Sequence, residues 1–222
     1  MSFRFRSILR ILSVNLRHNF IPHFLIALTI AFLTPVLFGI ASLDARESAQ
    51  PLERLLSLAG TVLLTPIFLP EQNENIRDLI RSKKTDYRAV YAVRLLYSIF
   101  FLAVIMGTFT LVMQYSESEV TIRHYVGGVS SALFLGSLGF FFAGISQNTI
   151  VGYMVSMIYY IANFGLKDEL KGFYLFSMSA GSFTEKYWLL GGSVILIAVT
   201  FILYSGKPTI ILSDRRSTKV IC

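Results

Sequence analysis

Charge is scarce in this sequence. Only 15% of the 222 residues are charged, whereas 54% are hydrophobic, and the mean hydropathy is +0.62. Soluble domains carry roughly 25% charged residues. A soluble core of this size could not absorb 19 Phe and 11 Tyr without leaving much apolar surface in contact with water. The composition therefore excludes an ordinary soluble domain and predicts an integral membrane protein.

Residues that carry chemistry are also scarce. Cys222 is the only cysteine, so an internal disulfide is excluded. The sequence lacks the G-x-x-x-x-G-K-[ST] pattern that holds nucleotide phosphates, and it lacks the H-E-x-x-H and G-x-S-x-G patterns of two hydrolase classes. His18, His23 and His124 lie too far apart in the pattern to form a metal site. We expect no catalytic residue, no metal and no cofactor in this chain.

Ionisable residues are nearly absent from the interior of the apolar runs. No Asp, Glu or Lys lies well inside any run, and Arg94 lies at the mouth of one, where its side chain is expected to snorkel to the interface. Carriers driven by proton or sodium gradients usually need an ionisable group within the membrane. The sequence therefore argues against direct ion coupling.

Six apolar runs approach the roughly 20 residues that a helix needs to cross a bilayer. The second has only 15 uncharged residues, so it must extend through Arg54 or Glu53 or lie where the bilayer is thin. We therefore predict an all-α membrane protein with six transmembrane helices, forming one transmembrane domain over residues 1–222. The predicted spans are Phe20–Leu43, Leu55–Leu69, Val90–Tyr115, Val126–Ser146, Thr149–Leu166 and Tyr187–Tyr204.

The basic residues indicate the orientation. With six spans, 14 of the 20 Lys and Arg lie on the side of the two termini, together with five of the 13 acids. Cytoplasmic loops are rich in Lys and Arg, so both termini are predicted to be cytoplasmic. The basicity indicates contact with anionic lipid, and nucleic-acid binding is disfavoured because the basic residues form separate patches beside the membrane.

Three segments outside the spans are distinctive. Residues 1–18 have apolar residues at helical spacing among four arginines, which predicts an interfacial helix, with a disordered basic arm as the alternative. Residues 166–188 are too apolar for a solvated loop, so we expect an outer re-entrant or interfacial helical hairpin, with a plain loop as the alternative. Residues 71–84 predict a short amphipathic cytoplasmic helix, because Ile76, Leu79 and Ile80 form one apolar stripe.

The sequence of this cytoplasmic segment resembles that of a known protein family. Glu71 and Glu74 begin it, Leu79 and Ile80 form an apolar pair, and the basic residue Arg94 opens the third span. Together with the six spans, the N-terminal amphipathic helix and the outer hairpin, this pattern resembles the permease subunit of ABC-2 type transporters. The resemblance covers nearly the whole chain, although Ser82-Lys83-Lys84 stands where that family often has a proline.

The resemblance implies a half-transporter in the plasma membrane. Two permeases would pair as a homodimer or heterodimer, and each would bind a soluble ABC ATPase subunit that carries ATP and Mg. The cargo would be hydrophobic or amphipathic, such as a peptide, toxin, drug or lipid, exported from the cytoplasm or the inner leaflet. The alternatives are an ion-gradient-driven carrier or channel and a non-transporting immunity or assembly protein. The residues expected to couple the permease to its ATPase are Glu71, Glu74, Arg77, Asp78, Leu79, Ile80 and Arg81.

Candidate cargo contacts come from the fourth and fifth spans. Tyr153, Met157 and Tyr160 fall on one side of a helix, although such a stripe is more often plain packing. Gly128, Ala132 and Gly136 form a small-residue face, for which packing within one subunit is favoured over a dimer face. A cargo path between two permeases is expected near both stripes.

Overall fold

A computed structural model describes residues 19–72 and 87–205, and every regular element in these two ranges is helical. The second span is a helical rod that contains a π-helical turn and a 3₁₀ turn. The elements are α1 (Ile21–Phe38), a π-helical turn (Pro51–Leu56), α2 (Leu58–Leu64), a 3₁₀ turn (Thr65–Phe68), α3 (Leu69–Gln72), α4 (Tyr87–Tyr115), α5 (Ile122–Ser146), α6 (Thr149–Gly165), α7 (Lys167–Leu170), a 3₁₀ turn (Lys171–Phe173) and α8 (Thr184–Ser205).

The apolar helices make the chain a multi-pass membrane protein. Within the described ranges, five helices are long and apolar enough to cross a membrane: Ile21–Phe38, Pro51–Phe68, Ala89–Tyr115, Ile122–Ser146 and Thr184–Leu203. The remaining apolar helix, α6, has 17 residues. At 1.5 Å per residue it is about 26 Å long, slightly less than the roughly 30 Å hydrocarbon core of a bilayer. The six predicted spans therefore correspond to six apolar helices, five of which have full spanning length.

Two helical rods form the centre of the bundle. In an 18-residue apolar stretch of the second span and of α5, 78% and 67% of the residues are buried, compared with 11% in α1 and 22% in such a stretch of α8. Helix α5 packs against the second span, α6 and α8. The outer helices present apolar residues over most of their surface, as a helix in contact with lipid must.

Prolines explain part of the irregularity of the second span. Pro66 and Pro70 each lack a backbone N–H and crowd the carbonyl of the preceding turn, which removes hydrogen bonds from the α-helical ladder. The chain changes there into the 3₁₀ turn and then α3. At the opposite end, Pro51 opens the π-helical turn, and this turn extends the span beyond its uncharged stretch. The predicted extension through Arg54 and Glu53 is therefore confirmed.

Glycines allow the second span and α5 to pack with their backbones in direct contact. A Cβ on Gly60 would lie 1.9 Å from the carbonyl oxygen of Ala132, and one on Gly136 would lie 2.5 Å from the carbonyl oxygen of Gly60. The small-residue face of the fourth span thus packs within the chain, as predicted. The expectation that a cargo path runs along this face is wrong, because the second span already covers it.

Residues 166–188 are helical only in part. After α7 and its 3₁₀ turn, the chain passes through turns until α8 begins at Thr184, so a two-helix hairpin does not form. Leu175, Phe176 and Met178 are nevertheless at most 2% exposed. We name residues 174–182 the buried loop. The sequence shows that these apolar side chains need burial, but their burial comes from packing against the bundle and not from helix pairing.

Two predicted features lie outside the described residues. These are the interfacial helix at 1–18 and most of the coupling helix, including Glu74, Arg77, Asp78, Leu79, Ile80 and Arg81. Glu71 falls within α3, at the end of the second span. Both features stay predictions of the sequence.

Candidate functional site

A fully buried carboxylate lies at one end of the bundle, which we call the Glu53 end. Glu53 belongs to the π-helical turn, and its side chain has no exposed surface. Its two oxygens accept hydrogen bonds from the backbone N–H of Met178 at 2.8 Å and of Ser179 at 3.0 Å. The Nζ of Lys186 lies 2.5 Å from its Oε1. The carboxylate therefore holds the buried loop and α8 against the second span.

Lys186 completes this cluster from the first turns of α8. Its ammonium group donates to the Oγ of Ser131 on α5 at 2.6 Å and to the carbonyl of Leu175 at 2.5 Å. An ammonium has three protons, and the carboxylate of Glu53 is the third partner. Because each charge is paired and hydrogen-bonded, the cost of burying it is compensated.

Further contacts fix the buried loop. Asn163 of α6 accepts from the backbone N–H of Leu175 at 2.7 Å through Oδ1 and donates to the carbonyl of Tyr159 at 2.8 Å through Nδ2. The Sδ of Met178 fills the space that a Cβ on Gly127 would occupy. The ion pair and these contacts join the second span, α5, α6, the buried loop and α8.

Glu53 and Lys186 both stand in the first turn of their spans, so the prediction that no Asp, Glu or Lys lies well inside a span still holds, but the sequence did not predict that these two side chains are buried. Glu53 lies within the apolar helix Pro51–Phe68, and Lys186 lies within Thr184–Leu203. In the sequence both residues stand at the edge of an apolar run, next to Arg54 and Tyr187. The buried loop folds back over this edge and covers it. Pro51, a residue suited to the first turn of a helix, is the one sequence signal that places Glu53 inside the span.

Arg54 follows Glu53 but takes no part in the ion pair. Its side chain is half-buried, and its Nε is shielded from solvent and has no hydrogen-bond partner among the residues that the structure describes. Its carbonyl, in contrast, accepts a hydrogen bond from the hydroxyl of Tyr160 on α6. The carbonyl is left available because the π-helical turn disturbs the regular ladder of the helix.

The three predicted cargo residues have different surroundings. Tyr160 is engaged by the Arg54 carbonyl and meets the ring of Phe176 edge-on at 5.7 Å. Tyr153 is half-buried, and Met157 is 47% exposed on the surface of the bundle. Only Met157 is open to a ligand or to lipid, so the structure does not bring the three side chains to one cavity.

At the opposite end, which we call the Arg94 end, a small cavity lies between α1, the second span and α4. Arg94 is only 4% exposed and donates from Nη1 to the carbonyl of Ile67 at 2.9 Å, next to the proline-broken turn. The expectation that Arg94 snorkels to the interface is therefore wrong. The cavity is about 20 Å³ and includes His23, whose Nδ1 has no hydrogen-bond partner within residues 19–72 and 87–205. It can hold one water molecule but no cargo.

Within residues 19–72 and 87–205, no group of three His, Cys, Asp or Glu side chains could hold a metal ion. Comparison of the chain with protein-family models, curated proteins and solved structures gives no match.

Proposed function

We propose that this chain is the membrane-spanning half of an ATP-driven exporter of the ABC-2 type. In this proposal it lies in the plasma membrane with six spans, and both termini and residues 71–88 face the cytoplasm. Two such subunits, identical or related, pair in the membrane, and each binds a soluble ATPase subunit that supplies ATP and Mg. The cargo is hydrophobic or amphipathic and leaves the cytoplasm or the inner leaflet.

The closed centre of the bundle is the observation that carries the proposal. The second span and α5 touch at backbone distance through Gly60 and Gly136, and at the Glu53 end the ion pair joins the second span to α8, whose Lys186 also donates to Ser131 of α5. A path for a peptide or lipid does not fit between rods packed this closely. A transported molecule would have to pass along an outer face, between this chain and a second subunit.

The surface of α6 favours an apolar or amphipathic cargo. Its exposed residues carry no charge, and they include flexible Met side chains, which adapt to apolar partners of varied shape. A highly charged polymer would instead need a polar or basic lining. The exposed large apolar residues of α6 are Ile150, Met154, Met157, Ile158, Ile161 and Phe164.

Reconstitution tests the proposal. The chain is purified with the soluble ATPase that it retains, placed in vesicles and supplied with a fluorescent amphipathic peptide. Peptide should move only when ATP is added, and replacing the P-loop lysine of the ATPase should stop it, because that lysine holds the nucleotide phosphates. Absence of any retained ATPase, or movement that continues without ATP, contradicts the proposal.

The buried Glu53 favours a second candidate, an ion-coupled carrier, because such carriers use ionisable groups within the membrane. Against it, both oxygens of Glu53 are already occupied by two backbone N–H groups and Lys186. An imposed pH gradient without ATP separates the two candidates. Movement of cargo under the gradient, lost in Glu53→Gln but kept in the exposed control Glu119→Gln, would establish the carrier and overturn the exporter.

A further inference from the structure

Arg54 carries a charge that the described part of the chain does not neutralise. It lies in the first turn of the second span, at the Glu53 end. No side chain or carbonyl within residues 19–72 and 87–205 forms a hydrogen bond or ion pair with its guanidinium, and its Nε is shielded from solvent. A half-buried guanidinium without an acceptor is costly, because it loses hydration and receives nothing in exchange.

The neighbouring acid cannot supply the missing charge. Glu53 is held by Lys186, Met178 and Ser179, so its oxygens are already used. Glu53, Arg54 and Lys186 together carry one negative and two positive charges. Residues that are adjacent in a helix do not face each other, and Glu53 pairs instead with the lysine of another helix. The cluster is left with one positive charge at the Arg54 side chain.

A second polar group without a partner lies in the same region. The hydroxyl of Tyr174 forms no hydrogen bond with any described residue, while its ring contacts Phe176 edge-on at 5.9 Å. Burial raises the pKa of the Tyr174 phenol, the Glu53 carboxylate raises it further, and the Arg54 guanidinium opposes both. Tyr174 is therefore a neutral hydrogen-bond donor, and it lies in the same cluster as Arg54, because its ring contacts Phe176, which meets Tyr160, the residue that is hydrogen-bonded to the Arg54 carbonyl.

We propose that Arg54 and Tyr174 bind the phosphate of an anionic phospholipid. The ligand follows from where the two groups lie and from what they can donate. Arg54 stands in the first turn of a membrane span, the depth at which lipid headgroups begin, and a guanidinium presents a planar fork of N–H donors that matches phosphate oxygens. A lipid with a net negative headgroup also neutralises the single excess charge.

Aromatic residues beside the site suit a lipid. Tyr160 is fixed by its hydrogen bond to the Arg54 carbonyl, and Phe164 packs against Tyr160 and Phe176. The ring of Phe164 is 56% exposed, so it offers an apolar wall on the outside of α6. An acyl chain could lie along that wall while the headgroup phosphate stays at Arg54. Basic positions between transmembrane helices bind lipid headgroups in this way.

Lipid retention measured by native mass spectrometry tests the site. The full chain is purified in detergent and titrated with phosphatidylglycerol, with phosphatidylcholine as the zwitterionic comparison. Arg54→Gln should bind phosphatidylglycerol about tenfold more weakly than the wild type, because it loses a charge-assisted interaction. Arg123→Gln, which removes an exposed arginine from the Glu53 end, should leave binding unchanged.

A second variant and a competition experiment complete the test of the lipid site. Tyr174→Phe removes one hydroxyl and should weaken binding about fivefold, and it carries the test if Arg54→Gln does not fold. Inorganic phosphate at millimolar concentration should not displace the lipid. Equal retention of phosphatidylglycerol by the wild type and both site variants overturns the proposal. Equal retention of the two lipids, or displacement by inorganic phosphate, overturns the assignment to an anionic lipid.

Discussion

Glu53 and Lys186 form an ion pair of 2.5 Å between the second span and α8, and neither side chain is more than 5% exposed. The pair does more than join two helices. Its carboxylate also receives the N–H groups of Met178 and Ser179, so the buried loop depends on the same charge. One acid and one base therefore organise the whole Glu53 end of the bundle.

We predict that breaking this pair destabilises the protein. Glu53→Gln or Lys186→Met leaves one charge buried without its partner, which costs about 3–5 kcal/mol in comparable pairs. The double variant should lose less than the sum of the two single losses. Thermal unfolding in detergent measures all three. The control Glu119→Gln, at an exposed position of the same end, should stay within about 0.5 kcal/mol. Additive losses would show that the two charges do not depend on each other.

The glycine contact at the centre gives a second prediction. Gly60→Ala places a Cβ against the carbonyl of Ala132, and neither backbone can yield without moving a central rod. We expect a loss of stability of about 1–3 kcal/mol. Gly191→Ala on α8 is the matched control, because a Cβ there meets nothing within 4 Å. It should be neutral or slightly stabilising, since Ala favours a helix over Gly. A neutral Gly60→Ala would mean that the two rods are not packed this closely.

Topology is predicted from the distribution of Lys and Arg. In a chain with Cys222 replaced, a cysteine at residue 119 should react with a membrane-impermeant thiol reagent added outside the cell, whereas one at residue 83 should react only after permeabilisation. Residue 119 lies between α4 and α5 and is exposed, so its reactivity reports sidedness and not burial. The reverse pattern of labelling would place both termini outside.

Coupling to an ATPase is predicted to depend on the apolar stripe of residues 71–84. Leu79→Asp should uncouple ATP hydrolysis from transport more severely than Arg77→Ala, because buried apolar anchors contribute more to an interface than charges at its rim. The measurement compares ATPase co-purification and peptide transport for the two variants. Unchanged co-purification and transport in Leu79→Asp would exclude this segment as the docking site.

Several properties of the fold could be predicted because they depend on local sequence. A run of apolar residues long enough to cross a bilayer has few alternatives to a helix, since the backbone must satisfy its own hydrogen bonds there. The fourth span, predicted as Val126–Ser146, is part of α5, which ends at the same residue. The fifth, predicted as Thr149–Leu166, is α6 almost to the residue. The small-residue face of α5 also indicated close packing within the chain.

The partners of the polar residues could not be predicted in this way. Each apolar run is apolar around the whole helix, so the sequence does not show which face turns inward. The sequence is equally compatible with a Lys186 that faces solvent beside Glu185, and it predicts Arg94 at the interface. The tertiary structure buries both residues, because Lys186 meets Glu53 and Arg94 meets the Ile67 carbonyl left by the proline-broken turn.

The sequence by itself thus determined the class of protein, the positions of its helices and the distribution of charge along it, all of which follow from hydropathy and spacing. The tertiary contacts decide that the second span and α5 form the centre, that the buried loop closes one end, and that Arg54 has no ionic partner among residues 19–72 and 87–205. These depend on contacts between residues far apart in the chain, whose energies are set by geometry and desolvation that no local pattern encodes.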